Sequence, residues 1–188
     1  MAYDAKAVAN YFLECAERSG QKLDPLKLQK LVYFAHGWCL ALTGQPLVAD
    51  RVEAWAYGPV IRRLYGEFKH FGDGAITGRA TEVTVERGAT GPRVLTFTPT
   101  IDACAEDADH ARVARALLDR VWEVYGKFSG VQLSNMTHAA DGPWQWTRKQ
   151  NPGVRDPVID DCDIREYFRK LLLPQPGPEA AEKVPASA

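Results

Sequence analysis

The sequence predicts an α+β, predominantly α-helical domain, with a central buried helix, surrounding helices and one small β-hairpin. Three observations predict it. Residues 25–43 are apolar nearly all round a helical wheel, residues 75–99 switch to alternating periodicity, and the flanking segments return to helical spacing.

The first helix is expected from about Ala5 to Ser19. Asp4 is placed to cap it, Val8, Phe12, Cys15 and Ala16 share one stripe, and Gly20 stops it. The second opens on Asp24-Pro25, an N-cap followed by proline at the first helical position, and ends at Thr43 before Gly44. Leu28, Leu31, Val32, Ala35, Trp38, Cys39 and Leu42 form its stripe, while Leu26, Tyr33, Phe34, Leu40 and Ala41 add apolar bulk outside it. A helix of that kind packs on more than one side, which makes it the central element. Val52–Trp55 reads as a short extended piece. The break at Tyr57-Gly58-Pro59 then opens a third helix from Pro59 to about Phe71, with Ile61, Leu64, Tyr65 and Phe68 inward.

Thr81, Val83 and Val85, followed by Val94, Leu95 and Phe97, read as a hairpin with a loose turn over Gly88–Pro92. A fourth helix is expected over Asp107–Tyr125, with Val113, Leu117, Val121 and Val124 inward. A short helix starts at Ser129 or Gly130. Asp141-Gly142-Pro143 is a turn, Gln150–Asp156 a polar loop, and Asp161–Leu172 the last helix, with Ile164, Tyr167, Phe168 and Leu171 inward. Residues 1–173 read as one domain. Residues 174–188, with four prolines and no aromatic residue, read as a disordered tail.

Composition narrows the function. The chain has 188 residues, 46% apolar and 25% charged, which is the balance of a globular domain. Lys+Arg is 23 against 24 for Asp+Glu, so the basic excess of a dedicated nucleic-acid binder is missing, although a local patch is not excluded. No apolar run is long enough to cross a membrane, and the N-terminus lacks the pattern of a secretory signal. Cys15, Cys39, Cys104 and Cys162 form no Cys-x-x-Cys pair, so they read as reduced thiols filling the core of a cytoplasmic protein.

No phosphate loop, dinucleotide fingerprint, zinc-protease helix or nucleophile elbow occurs. His36 and Cys39 share a helix face and could be a base and nucleophile, but Cys39 lies on an apolar stripe, which reads as a packed thiol. The acidic run Asp160–Asp163 reads as helix capping. His138, Asp141 and Trp144 form the most distinctive string of the C-terminal half. It is open to a titrating histidine beside a carboxylate, or to a loop bond with a tryptophan anchor. Arg62, Arg63, Lys69 and His70, and the stretch Arg148-Lys149, suit a solvated helix face, an anionic ligand or an acidic protein partner. No cofactor or metal is expected.

Several strings taken together resemble one family. They are Val8–Leu13, Leu28–Trp38, Glu53–Val60, Leu64-Tyr65, and Leu133–His138 followed by Pro143-Trp144. In this order and spacing they look like the Panacea domain of SocA-like antitoxins, found in bacteria and their mobile elements. The resemblance implies an antitoxin, not an enzyme, that neutralises a cognate protein toxin encoded next door by stoichiometric binding. It leaves a second mode open, that of a proteolytic adaptor passing the toxin to an ATP-dependent protease. A Cys/His-dependent enzyme is the remaining alternative, and DNA binding is not expected. Packing alone does not account for Lys30, Tyr33, His36, Tyr57, Gly58, Pro59, His138 and Trp144. With Trp55, Arg62, Arg63 and Tyr65 they are the candidate toxin-binding or motif residues. Two readings of them stand side by side: a groove near the Gly58-Pro59 turn, or a buried polar network that fixes the fold while other surfaces choose the partner.

Overall fold

The computed structural model describes residues 2–88 and 91–173. The expected tail, 174–188, lies outside them. The order is α1 (Ala5–Arg18), α2 (Pro25–Thr43), β1 (Val52–Trp55), β2 (Gly58–Ile61), α3 (Arg62–Phe68), β3 (Glu82–Gly88), β4 (Gly91–Phe97), α4 (Ile101–Cys104), α5 (Ala108–Tyr125), α6 (Gly130–Met136), α7 (Pro143–Gln150) and α8 (Asp161–Leu172).

The predominantly helical α+β class holds, with α2 at its centre. Asp24 accepts the Lys27 N–H at 2.8 Å, Pro25 sits in the first turn, and Gly44 closes the helix at φ 75°. Around α2 pack α8, α6, α5, α1 and β2. The all-round apolar pattern thus reflects a helix with neighbours on every side. Phe168 of α8 is the hub of an aromatic cluster. Its ring meets those of Tyr33, Phe34, Trp38 and Tyr167 edge-on. That packing requires Gly37, because a Cβ there would lie within 2.6 Å of three atoms of the Phe168 ring.

The structure departs from expectation at several elements. Among the described residues there are two hairpins rather than one. Pro59 does not open a helix; Gly58–Ile61 is a strand, antiparallel to β1, with Ala54 opposite Pro59 and Trp55 opposite Gly58. Proline is tolerated there because the pairing is a two-stranded ribbon and not the middle of a sheet. The other side of β1 is also taken, since Ala54 N donates to Pro157 O and Ile159 N donates to Val52 O. The second hairpin turns more tightly than expected, pairing Gly88 with Gly91. Its alternation does not face a core, and Val83, Val85, Val94, Leu95 and Phe97 are exposed. A cluster at its base ties it down. Lys6 Nζ meets Glu67, Glu82 and Thr81 O, Arg63 bridges Asp4 and Glu82, and Asn10 bonds both Ala80 and Pro99.

α4 and α7 are short helices in stretches for which no element was expected. Pro143 occupies the first turn of α7 behind Gly142, so its start is readable as a proline at the first helical position. Leu42, Tyr65, Val113 and Leu171, all expected to face inward, are exposed. Of the cysteines, Cys15 is buried, Cys39 and Cys104 are half-buried and Cys162 is exposed, so only the first is core filler outright.

Overpacking one well-filled contact usually costs about 1–3 kcal/mol. Gly37→Ala should therefore lower the unfolding free energy by about 1–3 kcal/mol, read as a lower midpoint at unchanged slope in urea titrations. Adding Phe168→Leu should recover part of the loss, and strict additivity of the two changes in a double-mutant cycle would contradict the contact.

Candidate functional site: a clamped hairpin

The strings that carry the family resemblance, Val8–Leu13 of α1 excepted, meet at the β1–β2 hairpin. Its backbone carbonyls are held one by one by side chains from three helices. Lys30 Nζ of α2 donates to Pro59 O at 2.9 Å, and Ser134 Oγ of α6 donates to Tyr57 O at 2.9 Å. From α7, Trp144 Nε1 donates to Trp55 O at 2.8 Å and Arg148 donates to Ala54 O at 2.9 Å. Gln29 grips Ile61 at both ends, donating to its carbonyl and accepting from its N–H, each at 3.0 Å. Sequence reasoning does not single out Gln29 or Ser134, and it reads Arg148 only as half of the basic pair Arg148-Lys149.

Lys30 is fully buried and its ammonium has a carbonyl, not a carboxylate, as its hydrogen-bond acceptor. Burial pulls it down to about 7. It shares its surroundings with Thr137 and His138. A Cβ on Gly58 would lie 2.6 Å from Thr137 Oγ1, 2.8 Å from Lys30 Nζ and 3.3 Å from His138 Nε2. Gly58 also has φ 95°, a region that favours glycine, so conformation and space both demand this residue. His138 stacks on Trp144 with centroids 4.0 Å apart, and its Nε2 is buried without a hydrogen bond. Burial, then the Lys30 charge, lower its pKa.

The outward side of the hairpin is aromatic and charged. Glu53 and Trp55 alternate with the buried Val52 and Ala54. Trp55 lies 4.8 Å from the Tyr65 ring and 5.1 Å from the Arg62 guanidinium. Glu53 accepts from Trp55 Nε1 at 2.7 Å and from Arg62 at 3.0 and 2.6 Å. Burial would raise the Glu53 carboxyl, but these bonds outweigh it and hold it below its ordinary range. At the turn Tyr57 is 77% exposed, and Tyr65 is 43% exposed.

The candidate residues therefore do not line one groove. Lys30 is buried beneath the hairpin and Gly58 and Pro59 are buried within it, with His138 and Trp144 half-buried beside them. Trp55, Tyr57, Arg62 and Tyr65 form its outer face. Tyr33 and His36 belong to the α2–α8 contact, where His36 Nε2 meets Asp161 at 3.0 Å and Nδ1 accepts from Val48 N at 3.4 Å. Arg63 belongs to the base of the second hairpin. Both ring nitrogens of His36 are thus engaged away from Cys39, whose thiol lies 3.7 Å from Thr43 Oγ1 and is raised by burial. His138 faces Lys30 and Trp144, while Asp141 lines a cleft with Trp146, Asp163 and Tyr167. Among the described residues no group of three or more His, Cys, Asp and Glu is placed to hold a metal.

The family model of the SocA-like antitoxin, Panacea domain, matches residues 28–145, a span that runs from α2 into α7 and holds the whole clamp except Arg148. The chain belongs to the Panacea-domain family. A relative named Antitoxin SocA, from Caulobacter vibrioides, is 37% identical over 182 residues, which cover 92% of this chain and 87% of the relative. No solved structure matches. In this Panacea domain the family strings are divided by strand alternation and by depth: some residues hold the hairpin and others face outward from it.

A lysine whose folded pKa is lowered binds fewer protons than the unfolded chain between about 7 and its ordinary value near 10.4. Lys30 therefore contributes a penalty that is complete below about pH 7 and relieved as pH rises. Relative to Lys30→Met, the wild type should gain up to about 2–3 kcal/mol between pH 7 and 9 in urea titrations. A gap that does not change with pH would show that this ammonium carries no burial penalty.

Proposed function

We propose that this protein is the antitoxin of a bacterial toxin–antitoxin pair. It neutralises a cognate protein toxin by direct stoichiometric binding, with the outer face of the β1–β2 hairpin as a central contact. The observation that carries the reading is Tyr57, an aromatic residue 77% exposed at a turn whose two flanking carbonyls, those of Trp55 and Tyr57, are fixed by Trp144 and Ser134. Exposed tyrosine, tryptophan and arginine are the residues most often found as interface anchors. A turn held in one shape loses little conformational freedom on binding. Family membership and the antitoxin relative supply the class of partner, a toxic protein.

In this reading Trp55, Tyr57, Arg62 and Tyr65 touch the partner. Lys30, Gln29, Gly58, Ser134 and Trp144 act through the hairpin's shape. A stable complex usually buries about 1,200–2,000 Å² in total, so the contact extends beyond the hairpin to its flanks.

The test is co-expression with the protein encoded beside this gene, followed by purification of the pair. Wild type should restore growth and co-purify at a fixed ratio. Tyr57→Ala should keep the far-UV spectrum and urea midpoint, because its side chain is exposed, and should weaken binding by at least about 30-fold, the effect of a 2 kcal/mol anchor. Full rescue with no complex would overturn direct binding, and undiminished affinity of Tyr57→Ala would move the contact elsewhere.

A further inference from the structure

The outer face of the first hairpin carries a layered charge that says what its partner must present. Two carboxylates lie low in it, Glu53 and Asp156, with side chains 15% and 19% exposed. Both are occupied. Glu53 is held by Arg62 and Trp55, and Asp156 lies 3.9 Å from Arg62 and 3.6 Å from Arg155. The guanidiniums stand above them, with Arg62 61% and Arg155 95% exposed. Arg148 reaches the same strand through Ala54 O, lies over the Trp144 ring and is exposed. Arg51 precedes Val52, which pairs with Ile61, so it lies at the same end of the hairpin as Arg62, and it too is exposed. An approaching molecule meets arginine heads first, around the Trp55 and Tyr65 rings, on a chain whose overall charge is only -1.

We infer that this arginine–aromatic face docks an acidic segment of the toxin, with its carboxylates seated on Arg51 and Arg155. The inference rests on the antitoxin reading above and adds the chemistry of the surface it grips. Carboxylates fit the pattern better than a nucleic-acid backbone does. Single side chains can seat on separate guanidiniums, whereas a continuous row of phosphates would have to pass over Glu53 and Asp156. Complementary charge of this kind acts chiefly on the rate of encounter and is screened by salt.

The experiment measures association of the full chain with the protein encoded beside it, at 50, 150 and 400 mM NaCl, by stopped-flow or surface-based kinetics. The variant is Arg51→Glu/Arg155→Glu, whose side chains cap no helix and hold no part of the hairpin. Arg112→Glu/Arg120→Glu on α5 is the control, because it changes net charge equally at a different place. Wild type and control should associate about tenfold more slowly at 400 than at 50 mM. The hairpin variant should be at least about fivefold slower at 50 mM, with little remaining salt dependence.

A complex whose on-rate and salt dependence are the same in both variants overturns this inference and leaves the antitoxin reading standing. Equal slowing by both variants reduces it to a net-charge effect and overturns it as well. If wild type forms no complex and rescues no growth, the antitoxin reading fails and takes this inference with it. A 20-base-pair DNA duplex is the competing probe. Tight, steeply salt-dependent binding that the Arg51→Glu/Arg155→Glu variant loses would assign the patch to nucleic acid and overturn the acidic-segment inference.

Discussion

The structure turns on one unusual choice, a lysine buried in the second turn of α2 whose ammonium ends on a main-chain carbonyl. Burying a charge without a counter-charge is expensive, and its ordinary outcome is a lowered pKa, as found for Lys30. What the arrangement secures is position. The Pro59 carbonyl has no free choice of partner, and Gly58 beside it has no room for a Cβ. The same helix repeats the device one turn earlier, where Lys27 Nζ donates to Gly126 O at 2.7 Å and lies over the Trp122 ring. Two lysines and Gln29 thus tie the central helix to the hairpin on one side and to the end of α5 on the other.

Strand alternation then separates support from display. Along β1, Val52 and Ala54 go into the body while Glu53 and Trp55 stay outside, and the turn carries Tyr57 beyond both. The side chains that bond the hairpin's main chain come from α2, α6 and α7, and the outer edge of β1 pairs with Pro157 and Ile159, so the outer face is left to aromatic rings, arginines and Glu53. This division suits a scaffold that must hold one surface still while tolerating change on it. The second hairpin is built on the opposite plan. Its base is pinned by Lys6, Arg63 and Asn10, but its strands stand clear of the body.

Much of this organisation is legible in the amino-acid sequence. The caps at Asp4, Asp24 and Ser129, the stops at Gly20 and Gly44, and the full apolar girth of α2 are local signals, and each marks an element that is present. The motif strings lead to the right neighbourhood, since Lys30, Gly58, Pro59, His138 and Trp144 do meet. What is illegible depends on contacts far apart in the chain. Pro59 looks like a helix start in isolation, and it becomes a strand because Gln29 and Lys30, about thirty residues earlier, claim the groups on either side of it. Val83 and Val85 alternate like half-buried residues, yet periodicity cannot report that no layer lies above them. Tyr33 and His36 resist explanation by packing for the same reason. Their partners, Phe168 and Asp161, sit on another element, as do Asp4 and Glu82, the partners of Arg63.

The hairpin is, on this view, already locked in shape when its partner arrives. Native-state hydrogen exchange on the free full chain tests that claim most directly, read at the amides of Ala54, Ile61 and Ile159, each of which donates a specific bond across this region. These amides should open only with global unfolding, at the same free energy as the amides in the middle of α2. Fast exchange at these three positions while α2 stays protected would mean that the hairpin is shaped by its partner and not by Lys30 and its neighbours.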